Sequence, residues 1–156
     1  MYSLIVTVIS IALFSVAISA GINYIDSDRV IAKNKAMTLQ RNIVSIGLGM
    51  TTFKNLTKKE ASSPEQIVPS FSSLSFGNDN ITLSGIGASS YVGQSNVRYS
   101  CFFINNANDS DRLMYQKINN EYQSEQVILV TNCNDSSDTL AINETINSFR
   151  IKFYYL

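Results

Sequence analysis

INYIDSDRVIAKNKAMTLQRNIVSIGLGMTTF, residues 22–53, decides how this chain folds. Within it Ile22, Ile25, Arg29, Ala32, Ala36, Leu39, Ile43, Ile46, Met50 and Phe53 follow one another at alternating steps of three and four. All but Arg29 are apolar, which draws one stripe of period about 3.5 along an α-helix. Asp26, Asp28, Lys33, Asn34, Lys35, Gln40, Arg41 and Asn42 fall between them and suit water. The stripe predicts that Ile22, Leu39, Ile43 and Ile46 face a core while Lys33, Lys35 and Arg41 stay solvated. No proline occurs before Pro64, and Gly47 and Gly49 mark a place for a bend.

Upstream, residues 3–25 carry no charged side chain, and a bilayer-spanning helix needs about 20 apolar residues. The expectation is one helix from about residue 3 to about residue 53, apolar in its first half and amphipathic in its second. A spanning helix, a break near Gly21 and a separate amphipathic helix are the alternative. A cleaved secretory signal competes for the same stretch, with Ala17, Ile18, Ser19 and Ala20 as its cleavage region. No Lys or Arg precedes the apolar run, however, and the run is long for a signal core. Lys33, Lys35 and Arg41 would hold the downstream side in the cytoplasm, whereas a disulfide beyond them asks for the opposite side. Within the run Ser3, Thr7 and Ser10 lie at i, i+4 and i+7. They form a stripe of small, weakly polar side chains suited to close helix contacts, or are simply tolerated there.

The chain has no net charge, but the first 60 residues hold seven Lys/Arg against three Asp/Glu, and the rest five against nine. A weakly acidic distal part lacks the clustered basic footprint of a nucleic-acid binder, so no nucleic-acid partner is expected. Histidine is absent, which excludes Ser-His-Asp and Cys-His mechanisms and the common His-based zinc sites. Cys101 and Cys133 are too few for a cysteine-only metal centre and too far apart for a CxxC redox motif. An even count behind an export-type start points to one disulfide, with a pair of reduced core thiols as the alternative. The run Gly85-Ile86-Gly87-Ala88-Ser89-Ser90 has neither the Walker lysine nor the Rossmann spacing and reads as a turn. Residues 106–111 and 132–138 offer oxygen ligands without the EF-hand pattern and read as solvated turns. No catalytic residue, cofactor or metal site is expected.

Beyond a connecting loop at residues 54–75, residues 81–86, 96–104, 126–131 and 148–155 are β-branched or aromatic and partly alternating, and read as strands. Phe149, Ile151, Phe153 and Tyr155 face one way. Residues 109–122 place Met114, Ile118 and Tyr122 on one helical face, with Asp109 or Ser110 as N-cap. Residues 138–147 suggest another short helix. The fold class is therefore α+β, a long N-terminal helix packed on a small antiparallel sheet. It divides into 1–25 (transmembrane or assembly helix), 26–56 (amphipathic helix continuing it) and 57–156 (α+β globular domain).

An apolar helix that continues as an amphipathic one, then a loop, then a small sheet with a late cysteine pair, resembles the type IV pilin architecture. Residues 3–20 look like the assembly half of such a helix and residues 22–53 like the half that packs on the head. Most major pilins carry an acidic residue at the fifth mature position, where this chain has Ile5, which argues against a major subunit. The layout is also similar to PilM proteins of thin, conjugation-associated type IVB pilus operons. The resemblance implies a non-enzymatic membrane-anchored component of a bacterial type IV pilus, an assembly factor or a minor pilin. Its partners would be other pilus subunits or inner-membrane assembly proteins, together with the lipid bilayer. It would reside in the inner membrane with a periplasmic domain, or in the pilus filament (fimbrium) at the cell surface. A secreted binding domain with a cleaved N-terminal signal is the alternative from another class.

Overall fold

The computed structural model describes residues 6–15, 26–67, 80–122, 126–137, 140 and 146–156. Residues 6–15 are helical with exposed side chains. Among the described residues no helix is long and apolar enough to cross a membrane. The expected span at 3–25 lies mostly outside the described residues. So does the junction at 16–25 on which a single continuous helix depends, and so does most of the expected helix at 138–147.

Helix α1 (Ser27–Thr57) runs for 31 residues, about 46 Å at the helical rise. Asp26 starts it and pairs with Arg29 at 2.9 Å, a carboxylate at the positive end of the helix dipole. Lys58 ends it by turning left-handed, with φ of 60° and its N–H on the Lys54 carbonyl, a backbone reversal that spares an orphan C-terminal acceptor. The apolar stripe is in place from Ala32 onward. Ala32, Ala36, Leu39, Ile43, Ile46 and Met50 are buried, and Phe53 packs partly buried against the same core. Each large aliphatic side chain so buried contributes about 1.5–3 kcal/mol. Arg29 is exposed, and Ile22 and Ile25 lie outside the described residues.

One expectation along this helix is overturned. Lys33 and Arg41 are exposed, but Lys35 is buried. It sits beside the stripe between Ala32 and Ala36, whose short side chains leave room for its stem to run inward. Its ammonium is met there by a carboxylate.

Strands β1 (Ile81–Tyr91), β2 (Gln94–Ile104), β3 (Val127–Val130) and β4 (Phe149–Tyr155) form an antiparallel sheet in the order β1-β2-β4-β3. Helix α2 (Asp109–Glu121) follows β2 and packs against α1. Both helices lie on one face of the sheet. Met114 and Ile118 of α2 join the α1 stripe over Phe102, Ile104, Leu129, Ile151 and Phe153. Phe149, Ile151, Phe153 and Tyr155 do share this face, as their alternation predicts. Leu140 and Ile146 pack partly buried against it.

Two sequence readings are corrected in this sheet. Residues 85–90 belong to β1 and are not a turn. The turn is Val92–Gly93, with φ of 46° and 74°, the two-residue geometry with positive φ at both positions that matches strand twist. The glycines of β1 lie within the strand, which carries a register shift between Leu83 and Gly85. The bulge resets the phase, so Ile81, Leu83 and Ile86 all pack into the helix-side core, which a regular strand of period two cannot do. Gly87 marks a close approach: it pairs with Tyr99, and a Cβ there would stand 3.2 Å from the Tyr99 hydroxyl. The second correction is the cap of α2. Asn108 caps it, accepting from the Asp111 N–H at 3.1 Å, while the Asp111 carboxylate accepts from the Asn108 N–H at 3.0 Å. That reciprocal box fixes the start one residue before Asp109.

Candidate functional site

The cysteines come together as the sequence predicts. Cys101 on β2 and Cys133, just past β3, are bonded, with Cα atoms 5.8 Å apart. The bridge lies on the sheet face away from the helices. It draws residues 131–137 over a small core of Val97, Cys101, Ile128, Val130 and Tyr154. Those residues also brace themselves. The Asp135 carboxylate accepts from the Thr131 hydroxyl and from the Asn132 N–H, each at 2.9 Å. Two cations of β4 hold the segment from below: Arg150 donates to the Thr131 carbonyl at 2.6 Å, and Lys152 to the Asp135 carbonyl at 2.7 Å.

Lys152 is wholly buried. Its ammonium lies 4.0 Å from the centre of the Tyr99 ring and 5.0 Å from that of Tyr154, and Tyr91 stacks on Tyr154 at 3.7 Å. Burial brings its pKa down to about 8, against the opposing pull of the Asp135 charge. The arrangement holds a cation by a carbonyl and π faces. Among the described residues no group of three or more His, Cys, Asp or Glu is placed to hold a metal ion.

On the helix face, Lys35 anchors a second polar cluster. Its ammonium donates to the Asp111 carboxylate at 2.7 Å and to the Ser110 hydroxyl at 2.8 Å. The other Asp111 oxygen accepts from the Asn80 amide at 2.9 Å. One carboxylate thus ties α1, the cap of α2 and the start of β1. Sequence reading missed Lys35, Asp111 and Lys152 alike. The signal was present in part: Asp111 stands three residues after Asn108, the spacing of a capping box.

Of the residues proposed for helix assembly, Ser3 lies outside the described residues. Thr7 and Ser10 lie on the exposed helical run 6–15, and the Ser10 hydroxyl donates to the Val6 carbonyl at 2.9 Å. The outer flank of α1 offers a further surface. Two depressions of about 460 and 310 Å³ run along it and meet at Val44 and Tyr122. Tyr155 forms part of the second. Its hydroxyl donates toward the Ile43 carbonyl at 2.9 Å and lies 3.0 Å from the Ser100 hydroxyl, and burial raises its pKa.

No protein-family model matches this chain, and no curated protein or solved structure is similar to it.

Proposed function

We propose that this chain is a non-enzymatic, membrane-anchored component of a bacterial type IV pilus system, a minor pilin or an assembly factor, with its disulfide-bearing domain outside the cytoplasmic membrane. The observation that supports this most is the contrast along the N-terminal third. Helix α1 is committed along one stripe to the sheet and clamped through Lys35 and Asp111. The helical run 6–15 ahead of it presents Val6, Val8, Ile9, Ile11, Leu13 and Phe14, each more than half exposed. Apolar side chains crowded so closely favour cover by lipid or by other helices over water. The Cys101–Cys133 bridge supports an oxidising compartment for the domain.

The test is carried out in the source bacterium. Deletion of the gene should abolish surface pili, and the full chain should restore them. A C-terminal alkaline phosphatase fusion should fractionate with membranes and be active. Unaltered pili after deletion would remove the chain from this machine. A released protein whose first residue is Gly21 would make it a secreted binding domain. Replacing residues 3–20 with a Leu/Ala sequence of equal length separates anchoring from assembly. Lost pili at normal protein level would assign recognition to the stripe of Ser3, Thr7 and Ser10.

A further inference from the structure

Helix α1 carries a second apolar stripe that the fold leaves uncovered. Val30, Met37, Val44 and Leu48 are 49%, 38%, 56% and 60% exposed. Positions 37, 41, 44, 48 and 51 step by four and three, the same period as the buried stripe. The two depressions on the outer flank of α1 follow this stripe from Met37 to Thr51, a length of about 21 Å at the helical rise. The second is deepened at Gly47, where a Cβ would stand 2.7 Å from the Tyr155 ring. Glycine therefore lets the Tyr155 ring approach the helix closely, and Leu48 and Phe153 line the same depression.

Among the described residues the charges on this groove are of one sign: Arg41 lines the first depression and Arg98 the second, with no described Asp or Glu lining either. Among the described residues neither arginine has a carboxylate partner. Arg98 donates to the Thr51 hydroxyl at 2.7 Å, which fixes its guanidinium beside that turn of α1. Arg41 and Thr51 are ten residues apart in α1, about 15 Å.

We infer that this groove receives an amphipathic α-helix of a partner protein, apolar toward α1 and carrying two acidic residues ten or eleven positions apart that pair with Arg41 and Arg98. A ridge of alternating three- and four-residue steps accepts side chains of a helix lying along it. Arginine–carboxylate pairs at each end fix its register and reject basic helices. The apolar run 6–15 of this chain matches the groove in hydrophobicity but has no carboxylate for either arginine. Helix α2 already spends Met114 and Ile118 on the core. A second copy docked through the same face would place the arginines of both copies in one interface. The inference stands apart from the pilus reading and survives its failure.

The experiment uses the full chain in phosphatidylcholine nanodiscs and labelled stapled helices of about 18 residues, long enough for the groove. Leucines face the groove, and Glu, Gln or Lys occupies two positions eleven apart. Fluorescence anisotropy is read with empty discs subtracted. The Glu helix should bind about tenfold or more tightly than the Lys helix, as charge complementarity at an interface requires. The paired variant Arg41→Glu, Arg98→Glu should reverse that order, and Leu48→Glu, at an exposed position, should weaken every helix without altering the circular dichroism. Equal binding of Glu and Lys helices overturns the inference, as does an unchanged preference in the paired variant. Self-association of the unliganded chain that Leu48→Glu abolishes would give the groove to a second copy. Displacement of the Glu helix by phosphatidylglycerol in the discs would give it to a lipid surface.

Discussion

On one face of the sheet, α1 and α2 bring Leu39, Ile43, Ile46, Met114 and Ile118 down onto Phe102, Ile104, Ile151 and Phe153. The lysine buried in that layer, Lys35, meets a carboxylate. On the other face, residues 131–137 cover a smaller group around Cys101, Val130 and Tyr154, and the lysine buried there, Lys152, meets a carbonyl and two tyrosine rings. The first layer is held by apolar area spread over many side chains. The second is held by one covalent bond and a few directional contacts. A spread-out layer fails when a charge is forced into it, and it then fails as a whole. A tied layer fails when a tie is cut, and it opens locally.

The largest effect should come from Ile43→Asp, in the middle of the buried stripe. An unpaired carboxylate there costs several kcal/mol, against a total stability of about 5–15 kcal/mol for a domain. Cooperative unfolding in denaturant should shift to a far lower midpoint or vanish. A variant that melts like the parent would show that α1 does not close this layer.

Cutting the polar clamp comes next. Asp111→Ala removes the acceptor for Lys35, Asn80 and the Asn108 N–H together, and leaves a buried ammonium uncompensated, at about 3–5 kcal/mol. Lys35→Met should cost less, about 1–2 kcal/mol, because Asp111 keeps its other donors and the thioether keeps the stem's volume. The double variant should be more stable than Asp111→Ala alone. A double-mutant cycle by chemical denaturation measures the coupling, and strict additivity would show that the pair does not interact.

How legible each layer was follows from the same contrast. The α1 stripe was readable because burial repeats with the period of the helix, and Ala32 through Met50 obey it without exception. The disulfide was readable from an even cysteine count behind an export-type start. Lys35 was not, because charge next to a stripe ordinarily means solvent, and only the three-dimensional position of Asp111 reverses that. Lys152 alternates with Ile151 and Phe153, so its burial depends on residues 131–137 crossing the opposite face of the sheet. Gly85 and Gly87 hid the true length of β1, since a glycine-rich run ordinarily marks a turn. The outer stripe of Val30, Met37, Val44 and Leu48 shared its period with the inner one and was overlooked because one helix usually needs only one.

Breaking the tie on the second face should cost somewhat less than the charge in the core. The bridge spans a sequence separation of 32, and its removal in a Cys101→Ala, Cys133→Ala variant should cost about 3–4 kcal/mol in the chain-entropy description. The comparison between layers is sharpened by where amide exchange rises. Residues 131–137 and β3 should lose protection first, while the amides of α1 keep theirs. Equal loss in α1 would mean that the two faces unfold as one unit and that the division between them is only geometric.

The smallest effect is a slope with pH, and it isolates Lys152. Its folded pKa of about 8 lies below the ordinary 10.5 because burial penalises the ammonium. Below about pH 8 both folded and unfolded chains hold the proton, and the fold bears the full cost of the buried cation. Between about 8 and 10 the unfolded chain binds more protons than the folded one, so stability rises with pH. Above that range the tyrosines reverse the trend. Burial raises the pKa of Tyr122, Tyr154 and Tyr155 in the fold, so the unfolded chain deprotonates first and gains. The groups facing Lys152 are Tyr99, Tyr154 and Asp135. Disulfide exchange does not intrude, because neither cysteine is free. Denaturant midpoints at pH 7.5, 8.5 and 9.5 should climb in the parent, by about 1–2 kcal/mol in total, and much less in Lys152→Met. A parent curve as flat as that of the variant would mean that the carbonyl of Asp135 and the two rings compensate the ammonium fully, and that the second face holds its lysine as well as the first.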